Sequence, residues 1–428
     1  MYQLNMTDYS FVSSVWKNTS IINGFFFLDS KNISKIVNNI KLNTLKNIQT
    51  NNLYKFTYNK DESVKFYPFL DISEKIDIDK HFFVYNVSFL KKDFDSYLTK
   101  IVQSPMNMSN PLWEIHVVKS DLENKAGIIV RMHHVIGDGS VFFNFIKSIF
   151  NPKKNNIKVI NNNFFDLYKY IKIIKWCIKF VALKLANIFK KELVRNLPEK
   201  TYARKWEKDH SEKKIIQYKE MPYKSFKPLL NKFSINFQTL ALYLYANTYK
   251  KLSQDLDGTL LAGMAINVKK HKYGTCVHTL LCDLHLDKDK STKDHINLIK
   301  QSFNDEYNYF YKTKIKNIFL SIYYSPFKST FKNAWKLFFP KSASTYLSVT
   351  NHKNMNLQIL DAKLDNYYVI QPYPEIHGSS GISINMHRNN DYVYITAVGY
   401  PNRFLKSDQF LDELEKLVIK LGNENVND

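Results

Sequence analysis

The chain is short of cysteine, proline, glycine and acid, and each shortage removes a class of protein. Three cysteines in 428 residues, Cys177, Cys276 and Cys282, are odd in number and lack a framework spacing. They exclude a disulfide-stapled scaffold and fit free thiols in a reducing compartment. Eleven glycines and twelve prolines are too few for a fibrous or low-complexity chain. No run of about eighteen uninterrupted apolar residues occurs, so no membrane span is expected. Met1 to Trp16 is polar, without a basic end leading into an apolar core, so no secretory signal is expected either. The expectation is an intracellular, cytoplasmic protein.

What is present reads as globular. Hydrophobic residues make up 44% of the chain and aromatics 15%, and the length suffices for two core-bearing units. Lys and Arg number 61 against 39 Asp and Glu, a formal charge of +22. Such an excess suits an anionic partner: a nucleic acid, an acidic membrane surface or a phosphorylated cosubstrate. The abundance of Lys, Asn, Ile, Phe and Tyr is also what an A+T-rich genome produces, which accounts for part of the excess. No nucleic-acid-binding motif accompanies the charge, and no nucleic acid is expected as partner.

Patterning predicts α/β structure in both halves. Strands are predicted at 24–28, 51–58 and 82–90, with helices over 32–45 and 94–102. Residues 151–163 read as a polar loop. From about 212 the pattern resumes, with strands at 215–218, 260–268, 346–350, 383–386 and 392–398 and helices over 234–252 and 407–421.

The densest chemistry lies in seven residues, His133-His134-Val135-Ile136-Gly137-Asp138-Gly139. They follow the apolar run Gly127 to Arg131, which reads as a buried strand. Successive strand side chains face opposite ways, so one histidine can enter a cleft while the other packs into the fold. A histidine there, with an ordinary pKa near 6.5, suits proton transfer at neutral pH. Each part also has a bland reading. Paired histidines are often structural, and Asp138 can cap the apolar helix that follows. The spacing on a strand-turn-helix frame favours chemistry.

Upstream, Pro111-Leu112-Trp113-Glu114 leads into Ile115-His116-Val117-Val118, a turn, and the histidine strand. Downstream, Tyr373-Pro374, Gly378 to Asn385 and Tyr392 to Tyr400 form a second recognisable stretch. With these residues the chain resembles the bacterial-type wax ester synthase / acyl-CoA:diacylglycerol acyltransferase family, within the HHxxxDG superfamily of chloramphenicol-acetyltransferase-like and condensation domains. The resemblance implies an α/β fold of two such lobes, mixed sheets flanked by helices, with the active-site channel between them. It implies an O-acyltransferase moving a fatty acyl group from acyl-CoA to a lipid alcohol, with no cofactor beyond that cosubstrate. The alcohol would be a long-chain alcohol or a diacylglycerol. His134 takes the role of general base, with His133 and Asp138 beside it. Asp138 is expected to brace the loop, for instance through Arg131, and Gly139 to permit close backbone approach. Asn351, Ser383 and Asn385, polar residues on family-like strands, are the candidates to bind substrate.

The departures are equally specific. Asn107 stands where the family has an acid, Phe237-Gln238 replaces an Asn-Asp pair, and Asn351 to Met355 replaces an Asn-Val-Pro-Gly-Pro segment. These bear on substrate positioning and not on the heptad. Two other functions therefore stand beside the first. One is a condensation-domain-like amide- or ester-forming enzyme, against which Trp113-Glu114 argues. The other is a non-catalytic lipid-binding protein that keeps the fold, against which the intact heptad argues.

Residues 1–155 are taken as the N-terminal lobe, 156–211 as a basic amphipathic linker and 212–428 as the C-terminal lobe. Within the linker, 166–195 spaces lysines at helical intervals among Trp176, Phe180 and Phe189. Two readings are balanced: a helix lying on an anionic membrane or droplet surface, or a connecting helix with its lysines in water. A second basic-aromatic stretch, 314–339, is open to lipid contact in the same way. Cys276, His278, Cys282 and His285 match no zinc spacing, and no metal is expected.

Overall fold

The computed structural model describes residues 2–3, 20–58, 69–73, 75–150, 214–253, 260–267, 277–286, 290–312, 345–351, 357–360, 362–364, 366–370, 380–401 and 404–423. The proposed linker with its amphipathic segment, the second basic-aromatic stretch, Cys276 and residues 352–355 lie outside these.

The first half holds strands β1 (Tyr2–Gln3), β2 (Ile21–Asp29), β3 (Phe56–Tyr58), β4 (Phe69–Ile72), β5 (Phe82–Asn86), β6 (Trp113–Ser120) and β7 (Lys125–His133). Its helices are α1 (Ile33–Thr50), α2 (Leu90–Gln103) and α3 (Gly139–Phe150). The second half holds β8 (Ile215–Pro222), β9 (Leu261–Asn267), β10 (Val277–Asp283), β11 (Thr345–Asn351), β12 (Leu357–Ile359), β13 (Ala362–Leu364), β14 (Tyr368–Ile370), β15 (Ile382–Arg388) and β16 (Tyr392–Gly399). Its helices are α4 (Lys227–Lys232), α5 (Phe237–Ser253), α6 (Thr292–Lys312) and α7 (Phe410–Asn423).

Two mixed sheets organise these elements. A five-stranded sheet runs β14-β2-β7-β6-β5 and a six-stranded sheet runs β10-β9-β11-β15-β16-β8. β5 and β6 are parallel, which requires the crossover that α2 supplies. Strand β7 is buried on both faces, and this explains its unbroken apolar run instead of an alternating one. Its Ile128, Val130 and Met132 point into the first-half core with α1 and α3. Ile129 points the other way, into a smaller core shared by the two sheets, with Phe25, Phe94, Tyr368, Tyr394 and Val398.

Helix α1 buries Ile33, Ile36, Val37, Ile40, Thr44 and Asn47, one stripe at three- and four-residue spacing. Two of its asparagines close the end of α3. Asn43 donates to the Ile149 carbonyl at 3.0 Å and Asn47 to that of Ser148 at 2.8 Å, satisfying carbonyls the helix leaves without internal partners. Helix α5 is buried on nearly every side within the second-half core.

Most predicted elements are present. The predicted strand 51–58 is instead a 3-10 turn, Asn52–Lys55, before the short β3, because the Asn51 side chain accepts from the Leu53 N–H and bends the chain. The strand predicted to reach residue 90 stops at Asn86, and Leu90 already opens α2.

One feature lies outside the pattern. Strand β14, from the second half, pairs antiparallel with β2 of the first, Tyr368 facing Phe25 and Ile370 facing Asn23. Leu357, Ile359 and Tyr367 join the first-half core with it. The Thr396 hydroxyl of β16 donates to the Val369 carbonyl, so β14 ties both sheets together. Among the described residues no helix is long and apolar enough to cross a membrane.

Candidate active site

The heptad sits where β7 ends. Trp113, wholly buried, anchors the partner strand: its indole donates to the Tyr54 carbonyl at 2.9 Å, and its own carbonyl accepts from His81 Nδ1 at 2.9 Å. The hairpin of β6 and β7 then sets Glu114 opposite Arg131, and the His133 N–H donates to the Leu112 carbonyl at 2.9 Å.

The two histidines separate as adjacent strand residues should. His133 is fully buried, and its Nδ1 accepts from the Val135 N–H at 3.2 Å, so its remaining ring proton lies on Nε2. His134 begins a 3-10 turn, and its N–H is held by the Ser20 carbonyl at 2.7 Å. Part of its surface stays open to solvent, unlike that of its neighbour. The protein packed around it pushes its pKa down to about 4, against the raising influence of Asp138 and of a hydrogen bond to its own backbone.

Asp138 is buried and acts as the N-cap of α3. Its Oδ1 accepts from the Ser140 N–H at 2.9 Å, the Ser140 hydroxyl at 2.7 Å and the Val141 N–H at 3.3 Å. The suggested Arg131 brace to Asp138 is not what the guanidinium makes. It pairs with Glu114, and it donates to Asn23 Oδ1 at 3.3 Å and to the Ser104 carbonyl at 2.5 Å. The physical reason is register. Arg131 lies on the face of β7 directly across from Glu114 and Asn23, while Asp138 is past the turn.

Gly139 is exposed, and a Cβ built there would meet nothing within 4 Å. Ser383 and Asn385 share one buried face of β15, the face opposite Ile382, Ile384 and Met386 in the core. The Asn385 Oδ1 has no hydrogen-bond partner among the described residues. Asn351 stands apart, exposed at the end of β11 and opposite Arg388.

Two other groups belong to this region, neither of them assigned a role in the site from the sequence. Tyr367 lies 5.3 Å, ring to ring, from His387 of β15 and 6.2 Å from Phe143 of α3, linking the heptad helix to the polar face of the second sheet. Glu114 is the other. Counting back from the hairpin turn would have placed it against Arg131. Among the described residues no cluster of His, Cys, Asp or Glu is arranged to hold a metal, and Cys282 is buried. A surface recess of about 440 Å³ opens at the β5 edge, lined by Tyr85, Tyr97 and Lys100 among others, and takes no residue from the heptad.

This architecture is the two-lobed fold of chloramphenicol-acetyltransferase-like and condensation domains. The starter condensation domain of rhizomide synthetase, solved in complex with C8-CoA and Leu-SNAC, aligns over 99% of this chain and 94% of that one (TM-score 0.60, 10% identity). The wax ester synthase/diacylglycerol acyltransferase from Marinobacter aquaeolei VT8 aligns over 98% of both chains (TM-score 0.63, 13% identity). Residues 73–162 match the wax ester synthase/diacylglycerol acyltransferase catalytic domain, which bears out the resemblance drawn from the heptad and its hairpin. Wax ester synthase/diacylglycerol acyltransferase 2 of Arabidopsis thaliana is 34% identical over 73 residues, 16% of this chain and 15% of that protein. The chain thus matches about a seventh of that relative's length at the level of sequence.

Proposed function

We propose that the protein is an O-acyltransferase that moves a fatty acyl group from acyl-CoA to a lipid alcohol, with His134 as general base. The observation that carries this is the contrast within the histidine pair: His133 is sealed in, while His134 keeps part of its surface open. The protein packed around His134 keeps its ring neutral, and we assign Nε2 as the nitrogen that receives a proton. Nε2 takes the hydroxyl proton while the alcohol oxygen attacks the thioester carbonyl. The tetrahedral intermediate collapses, the C–S bond breaks, and the coenzyme A thiolate leaves with that proton. The thiolate is already a good leaving group, so no nucleophilic Ser or Cys is needed.

Ser383 and Asn385 share the face of β15 that carries His387, the residue that meets Tyr367, and are the groups assigned to steer the alcohol or the oxyanion. Asn351, exposed on the other side of its strand, serves at most the mouth of the channel. An acyl-CoA cosubstrate is supported by the family match and by the CoA compound in the related condensation domain. The test is incubation of purified protein with labelled acyl-CoA and a panel of long-chain alcohols and diacylglycerols, read by lipid chromatography. Ester should form, and His134→Ala should abolish it with the fold intact. Near-wild-type turnover in that variant would reject the base, and a protein inert on the whole panel yet binding the lipids would be the non-catalytic alternative.

A further inference from the structure

The face of the first sheet that carries His133 is layered in rows of cross-strand neighbours. Ile21, His133 and Leu112 form the row at the heptad end. Asn23, Arg131 and Glu114 form the next, and Phe25, Ile129 and His116 the one after. The middle row holds a charge pair, its arginine buried and its glutamate half-buried. Arg131 is 1% exposed, and Asn23 and His116 are nearly as deep. Burying such a guanidinium is unfavourable unless further hydrogen bonds satisfy it, and here it donates to three partners.

Reading outward, Glu114 accepts from Arg131 and from His116 Nε2, the latter at 3.1 Å. Because an ionised carboxylate can only accept, His116 carries its proton on Nε2 and its Nδ1 accepts from the Tyr97 hydroxyl at 2.8 Å. Burial raises the Glu114 pKa, but the His116 hydrogen bond and the Arg131 charge outweigh it, and the carboxyl stays ionised below its ordinary range. Reading inward, Arg131 binds Asn23, and Asn23 Nδ2 donates to the Ile21 carbonyl at 3.1 Å. Ile21 is the cross-strand neighbour of His133, and Ser20 beside it holds the His134 N–H. The third arm of Arg131 fixes the Ser104 carbonyl at the end of α2.

We propose that Arg131 and Glu114 are positioning residues for the acyl transfer, clamping β2, β6, β7 and the end of α2 so that the histidine turn has a single setting. The proposal rests on His134 being the base. A lysine cannot replace the arginine, since one ammonium cannot reach three partners that a planar guanidinium spans. Small displacements of a catalytic group lower rates steeply, about a hundredfold for an error near 1 Å.

The test uses Arg131→Lys, Glu114→Asp and the uncharged pair Glu114→Gln/Arg131→Gln, made in the full chain, with His134→Ala as reference. Two readouts are taken on folded protein: kcat and KM with acyl-CoA and an accepting alcohol, and the His134 ring signals by NMR, assigned by their loss in His134→Ala. The expected result is kcat lower by about tenfold to a hundredfold in all three, with KM within about twofold, and displaced His134 signals. The uncharged pair should recover melting temperature without recovering kcat. Variants that melt earlier but keep wild-type kcat per folded molecule, with His134 signals unmoved, would reduce the pair to a structural element and overturn the proposal. Should His134→Ala itself stay active, the base assignment falls, and the NMR arm still decides whether the pair orders the turn.

Discussion

Asp138 does two things at once, and two substitutions separate them. Its Oδ1 caps α3, and its charge opposes the depression of the His134 pKa. Asn can still accept the capping hydrogen bonds, so Asp138→Asn should keep stability within a few tenths of a kcal/mol. It removes the charge, so the acid limb of kcat/KM should move to lower pH. Asp138→Ala loses the cap as well and should cost about 1 kcal/mol, up to about 2, in denaturant unfolding. If the two variants were equally destabilised, the buried charge and not the cap would be the stabilising feature. Gly139→Ala adds a methyl where nothing lies within 4 Å, and Ala is the better helix former. Stability should hold or rise by up to about 1 kcal/mol, while turnover falls if substrate passes there; unchanged turnover would show that this space goes unused.

At the scale of elements, β14 is the joint between the sheets, and Thr396 is its fastening. Thr396→Val keeps the shape and removes the hydroxyl that the Val369 carbonyl accepts from. The expected loss is about 1 kcal/mol, more if that carbonyl is left unpaired, measured as a lower urea midpoint with unchanged slope. A midpoint equal to wild type would mean that packing around Tyr368, not this bond, carries the joint. The same strand shows where sequence reading stops. The hairpin of β6 and β7 was legible because its partners are close in the chain and β7 is uniformly apolar. The heptad was legible because its residues are contiguous. Three residues, Tyr368–Ile370, carry no period, and their partner β2 lies far back in the chain, so nothing local announces the pairing. Arg131 was seen but given the wrong partner, because Asp138 is near in sequence while Glu114 is near in space.

Four of the described histidines are held below their ordinary pKa by the protein packed around them, and this shapes the response of the whole molecule to acid. Burial pushes the pKa of His81, His116, His134 and His295 below the ordinary 6.5, in His134 down to about 4. As pH falls below 6.5 the unfolded chain takes up these protons first, so it binds more protons than the folded chain and folding stability declines. For His134 the decline continues until pH nears 4, where the folded form also protonates. Glu114 acts in the same direction at the lower end: its depressed pKa contributes stability above 4.5 that is lost as the folded carboxyl is protonated. Urea midpoints measured from pH 8 to 4.5 should therefore be flat above about 7 and fall steadily below 6.5. His134→Gln, which cannot titrate, should make that fall shallower. Activity should follow a different curve, because a base that is neutral down to pH 4 imposes no acid limit near 6.5 on kcat/KM while the protein stays folded. An acid limb at 6.5 that is absent from the stability curve would place the titrating base on a histidine less enclosed than His134.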